Sequence, residues 1–180
     1  ILELLNQDAE KLDIQKAIKI WLKQNSKPGK SNVYIFFAGH GLASDSGEDA
    51  YLIPFDGEPE FLELSALSQK QLFADINESG PKRVFAFFDT CYSGSTRSEQ
   101  ALVATRPIGI KTKKLTLPDN FVVFSAASAT ETARPIEEAK HGLFSYFVML
   151  GLEGAADING DKTITSGELN SYVSKNVSQW

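Results

Sequence analysis

The chain has 180 residues, 42% hydrophobic and 23% charged, with a formal net charge of −5; that is enough for one domain with a substantial core, and the acidic balance speaks against a nucleic-acid-binding surface. No apolar run approaches the roughly 18 residues of a membrane span, and no signal peptide is visible. The single cysteine, Cys91, can form no internal disulfide, which points to a reducing, cytoplasmic setting and leaves the sequons at Asn77 and Asn176 without weight.

The chain opens on Ile1 and its only methionine is Met149, so the expectation is a fragment or processed piece with elements missing at either end. In chain order, "ILELLN" (1–6) reads as a short strand. From Asp13 to about Gln24, Ile14, Ala17, Ile18, Trp21 and Leu22 fall on one stripe at helical spacing, with Asp13 as N-cap. "SKPGKS" (26–31) breaks that helix, and "VYIFFAG" (33–39) is a continuous apolar run, the mark of a strand buried on both faces. "AYLIP" (50–54) is a further short strand. Residues 65–79 suit a helix begun by Ser65 and stopped by Gly80-Pro81. "RVFAFFD" (83–89) and "FVVFSAA" (121–127) are two more buried strands, and residues 142–152 and 167–177 read as helices. Between them, 93–119 is long, polar and basic, and reads as a mobile loop.

Buried strands alternating with helices define an α/β domain, expected to fill 1–180 around a mostly parallel sheet. In such sheets ligands bind beyond the carboxyl ends of the strands. His40, Cys91 and Ser125 each stand at such an end, so parallel strands would bring all three to one sheet edge.

A thiol attacks an acyl carbon as thiolate, which requires a base and some exposure. The bland reading of one Cys is a small buried hydrophobe. Against it, "FFAGHG" and "FFDTCYSG" share one form: apolar strand, reactive side chain, glycine. Gly41 and Gly94 permit close backbone approach. His141 competes as the base, but it follows the solvated "EEAK" and suits a helix start, so His40 is preferred.

These paired motifs resemble the cysteine peptidases of the caspase and metacaspase superfamily, bacterial caspase-like proteins above all. His-Gly after one strand, Asp-x-Cys-x-Ser-Gly after the next, and a gap of 51 residues between His40 and Cys91 carry the likeness. The resemblance implies a three-layer sandwich with helices on both sheet faces, and a first strand upstream of residue 1. It implies Cys91 as nucleophile, His40 as general base and acid, and the backbone N–H groups of Gly41 and Cys91 as an oxyanion hole. Asp89, two residues before Cys91, matches the metacaspase acid that binds a substrate Arg or Lys, and Ser125 joins the substrate-binding set. Tyr92 in place of the usual His and Ala38 in place of a frequent Ser depart from the pattern. No third triad residue is evident. Relatives are often cut between their two halves, so 93–119, with Arg97, Arg106, Lys111, Lys113 and Lys114, is either a processing site or an uncut basic loop.

"DINGDKTITSGE" places Asp157, Asn159, Asp161, Thr163 and Glu168 at positions 1, 3, 5, 7 and 12 of a calcium loop. Lys162 stands where such a loop wants glycine, so two readings stay open: a Ca2+ site, or a polar turn between helices. Asp56 matches one ligand of the separate metacaspase calcium site, without its acidic partners. "KPGKS" precedes a strand and lacks the first glycine of a phosphate loop, and one Cys with two His makes no structural zinc site. The reading is therefore a cytoplasmic endopeptidase cutting protein or peptide substrates after Arg or Lys. It requires no cofactor and engages no nucleic acid or membrane, and a regulatory domain or partner lies outside this chain. Its rivals are a caspase-fold binding or signalling module and a cysteine hydrolase of a small amide or ester.

Overall fold

The structure is a computed structural model and describes residues 1–44, 46–90, 117–126, 135–136 and 141–179. The chain divides into two compact units, Ile1–Glu131 and Thr132–Trp180.

The first unit begins with a correction. Residues 1–5 form no strand, and Asn6–Asp8 make a 3-10 turn with Asn6 at φ 49°. The left-handed backbone at Asn6 ends any extended run, and no strand among the described residues pairs with this segment. Helix α1 occupies residues 11–25 as an α stretch Lys11–Lys16, a π-type stretch Ala17–Leu22 and a last turn Lys23–Asn25. Asp13 is not its N-cap. It lies in the first turn and pairs with Lys16 at 2.8 Å, while the cap comes from Asp56, whose Oδ1 accepts from the Lys11 N–H at 2.8 Å.

Strands β1 (Asn32–Ala38), β5 (Arg83–Asp89) and β6 (Phe121–Ser125) form a parallel sheet in the order β1-β5-β6. The Gly29 N–H donates to the Gly80 carbonyl at 2.7 Å and the Lys82 N–H to Ser31 at 2.9 Å, so the two helix-breaking segments meet where β1 and β5 begin. A mixed α/β fold on a parallel sheet is thus as expected. One sheet face carries Val33, Val84, Ala86, Phe88 and Phe121, packed with Leu72, Phe73 and Ile76. Ile14, Ile18 and Leu22 of α1 join that cluster. Each fully buried side chain of this size contributes about 1.5–3 kcal/mol.

The other face differs from the expectation for β1. Its burial alternates, and Tyr34 and Phe36 are 67% and 57% exposed. Val33 on the core face of β1 is buried in the cluster, whereas Tyr34 and Phe36 lie on the opposite face, which is left open. Tyr34 stacks on Phe85 and Phe87 on Phe124, each with ring centroids 5.1 Å apart.

The chain between β1 and β5 builds a small antiparallel sheet: β2 (His40–Ala43), β3 (Ala50–Ile53) and β4 (Leu67–Ser68). The helix expected over 65–79 is two pieces, α2 (Leu62–Ser65) and α3 (Gln69–Asn77), split by β4. Pairing of Leu67–Ser68 with Tyr51–Leu52 overrides local helix propensity, and Ser68 rather than Ser65 caps α3, accepting from the Gln71 N–H.

In the second unit, β7 (Pro135–Ile136) pairs with β8 (His141–Gly142). Helix α4 follows over residues 143–155, α-helical to Leu150 and π-type over Gly151–Ala155, then α5 (Ser166–Val177). His141 precedes a helix start, as expected, with Gly142 at the N-cap. The helices touch at Gly151, where a Cβ would sit 2.6 Å from Leu169 Cδ1.

Candidate active site

Parallel pairing gives the carboxyl edge of the sheet its composition. Ala38 is opposite Asp89, and Phe88 is opposite Ser125. The Gly39 N–H continues the ladder to the Asp89 carbonyl at 3.3 Å, and the Ala126 N–H reaches the Phe88 carbonyl at 2.9 Å. His40, Asp89 and Ser125 therefore stand at neighbouring strand ends on one edge. His40 and Ser125 are exposed, whereas Asp89 is 1% exposed. Cys91 and Gly94 lie outside the described residues, as does the loop to residue 116; Cys91 is bonded directly to Thr90, which is fully buried.

His40 and Gly41 open β2, opposite Ile53 and Leu52 of β3. Antiparallel ladders alternate between pairs that exchange hydrogen bonds and pairs that do not. Ser44 N–H donates to the Asp49 carbonyl at 2.9 Å, which sets the phase. Leu42–Tyr51 and His40–Ile53 are then the exchanging pairs, and Gly41–Leu52 is not. The Gly41 N–H faces away from β3, free of the ladder's demands. At Gly39, just before His40, a Cβ would lie 3.0 Å from the Phe37 ring, so a side chain there requires that ring to shift.

Asp49 holds this hairpin to its surroundings. Its Oδ1 accepts from the Ala50 N–H at 2.8 Å and the Lys70 N–H at 3.2 Å, and its Oδ2 from the Ser68 hydroxyl at 2.5 Å. One carboxylate thus joins β3, β4 and the first turn of α3. Burial, with the nearby charges of Asp49 and Glu63, pushes the Tyr51 hydroxyl above its ordinary pKa.

Two features of this region escape a reading by residue type. Among the described residues the buried Thr90 hydroxyl has no hydrogen-bond partner, a condition that costs about 1–3 kcal/mol. A Thr beside a Cys gives no hint of it. Asp56 is the second, placed by the fold as the cap of α1 (Lys11 N–H).

Residues 157–168 form a turn closed by its own side chains. Asp157 Oδ1 accepts from Gly160 N–H and its Oδ2 from Lys162 N–H, each at 2.9 Å. Asn159 accepts from Asp161 N–H at 2.9 Å, and Asp161 from Thr163 N–H at 2.8 Å. Lys162 takes φ 65°, the left-handed conformation that glycine would adopt at lower cost. Glu168 Oε2 accepts from the Thr165 N–H at 2.9 Å and hydroxyl at 2.8 Å, the return half of a capping box. Those bonds hold its carboxyl below the usual range. Among the described residues no three His, Cys, Asp or Glu side chains converge as a metal cage, and no helix is long and apolar enough to cross a membrane.

The model of the caspase domain, a cysteine peptidase family, matches residues 4–178, and the chain belongs to that family. Among solved structures it is similar to protein GSU0716 from Geobacter sulfurreducens, with a TM-score of 0.63 at 19% identity over 96% of this chain and 70% of that one. That likeness is one of fold. No curated protein matches the chain.

Proposed function

We propose that the protein is a cysteine endopeptidase that hydrolyses the bond after Arg or Lys, with Cys91 as nucleophile and His40 as its base. The observation that carries this is the register of β1 and β5. His40 is two residues beyond Ala38, and Cys91 two beyond Asp89, its paired position. His40 takes the thiol proton, and the Cys91 thiolate adds to the substrate carbonyl. The oxyanion accepts hydrogen bonds from the Gly41 and Cys91 N–H groups, and the outward Gly41 N–H suits that task. His40 then gives its proton to the leaving amine as the C–N bond breaks. Water, deprotonated by His40, cleaves the thioester and returns the free thiol. Asp89 would meet the substrate's Arg or Lys; its negative charge and its strand-end place two residues before Cys91 support that reading. This chemistry draws on no metal, and binding of Ca2+ by residues 157–168 is a separate proposal that calcium titration decides.

The test is labelling of Cys91 by an Arg-directed acyloxymethylketone, with cut sites mapped on unstructured proteins. Wild type should be labelled and cut after Arg and Lys, and Cys91→Ala and His40→Ala should do neither. Asp89→Asn should lower kcat/KM on Arg substrates by about 100-fold, the loss of one member of a desolvated charge pair. Cleavage after Asp, or activity surviving His40→Ala, overturns the assignment.

A further inference from the structure

The first unit leaves an apolar surface uncovered near the hairpin. Phe55, Phe61 and Leu64 are 63%, 57% and 78% exposed, and Leu12 is 59% exposed. Four such side chains belong to segments laced into one piece. The Phe55 N–H donates to the Ala9 carbonyl at 3.0 Å. Lys11 gives its N–H to Asp56 at 2.8 Å and its ammonium to the Leu64 carbonyl at 2.6 Å. The Ser65 hydroxyl reaches the carbonyls of Glu58 at 2.8 Å and Phe61 at 3.0 Å. Single exposed apolar residues need no explanation, but a group of them in one place marks an interaction surface.

The charge around these side chains is one-sided. Residues 8–13 and 55–64 hold seven acidic residues against one lysine, Lys11. Asp13 is neutralised by Lys16. Asp8, Glu10, Glu58, Glu60 and Glu63 remain exposed around the apolar group, so the potential there is negative and falls off with salt. The position also matters. Ile53 is paired with His40, and Phe55 follows two residues later.

We propose that this surface docks a cationic amphipathic segment of a protein partner, one with a few large apolar side chains flanked by Lys or Arg. Apolar anchors fill the space between Leu12, Phe55, Phe61 and Leu64, and the flanking cations meet the carboxylate rim. Beside His40, the docked partner would be a substrate held for cutting; that part rests on the peptidase reading, and the docking itself does not.

The experiment measures binding in the Cys91→Ala protein, so that its outcome is independent of catalysis. The probe is a fluorescent peptide of Leu and Lys in amphipathic helical order, followed by anisotropy. It should bind, and more weakly at high salt. A peptide with Glu for every Lys should not bind. Phe55→Ser with Phe61→Ser and Leu64→Ser should weaken binding at least about tenfold, as should Glu58→Lys with Glu60→Lys. The thermal unfolding midpoint of each variant shows whether it folds, and the exposed charge variant keeps the test decisive should the apolar one unfold. Equal binding of the acidic peptide, no binding at low salt, undiminished binding by the folded variants, or self-association through the same residues in sedimentation each overturns the proposal.

Discussion

Replacing Asp49 with Ala should unfasten the hairpin that carries His40 and Gly41. The carboxylate accepts two backbone N–H groups and one hydroxyl. Hydrogen bonds to a charged group contribute about 1.5–3 kcal/mol each when buried. Asp49 is half-buried, and water partly replaces each bond, so roughly 1 kcal/mol apiece and about 3 kcal/mol together is the expected loss. Against a total stability of about 5–15 kcal/mol that is a large fraction. Asp49→Asn should cost only about 1 kcal/mol, because its carbonyl still accepts from Ala50 and Lys70 and its amide can donate to the Ser68 oxygen. Urea unfolding followed by tryptophan fluorescence measures both, with an unchanged m-value as the sign that only stability moved. Hydrogen exchange should show the Leu42 and Tyr51 amides losing protection first. If Asp49→Ala unfolds within about 0.5 kcal/mol of wild type, or no differently from Asp49→Asn, Asp49 is not the hub described.

In the second unit, Gly151→Ala places a methyl 2.6 Å from Leu169 Cδ1 and 3.2 Å from Tyr172 Cδ1; it should destabilise by about 1–3 kcal/mol in urea unfolding, and a neutral result would mean the helices do not approach as described. Glu168 has its carboxyl pKa lowered by the Thr165 hydrogen bonds, so its contribution is present above the ordinary carboxylate range and lost as pH falls through the folded value. Wild type should therefore exceed Glu168→Gln in unfolding midpoint at neutral pH, with the gap closing on acidification; a gap indifferent to pH refutes the capping account.

Where side-chain periodicity and chain breakers act alone, the sequence is a good guide. β5 runs from Arg83 to Asp89, the bounds read from its apolar run, and the His40 and Asp89 strand ends are neighbours because the strands are parallel. What was illegible depends on partners distant in sequence. "ILELLN" has apolar residues enough for a strand, but the left-handed turn at Asn6 and the lack of pairing among the described strands are not visible in residue type. The 65–79 helix is split because β3 recruits Leu67 and Ser68. The cap of α1 comes from Asp56, 45 residues beyond Lys11. The run at β1 showed two apolar faces without showing that one is open, since covering depends on what packs there. For the candidate site, strand position placed His40 and Asp89 at neighbouring strand ends, as the β1–β5 register has them; their roles, like that of Cys91, belong to the proposal.

The long sequence gap between β1 and β5 has a consequence for the order in which the two sheets assemble. His40 and Ile53 meet across a hairpin of 13 residues' separation, whereas Ala38 and Asp89 meet across 51. Loop closure makes the second encounter entropically slower, and parallel pairing cannot be nucleated by a tight turn. The histidine's hairpin thus precedes the sheet that brings it to the cysteine's strand. On the proposed reading, a chain in which only this hairpin has formed has His40 in place without the strand that leads to Cys91, and the dyad would assemble only with the later, non-local pairing.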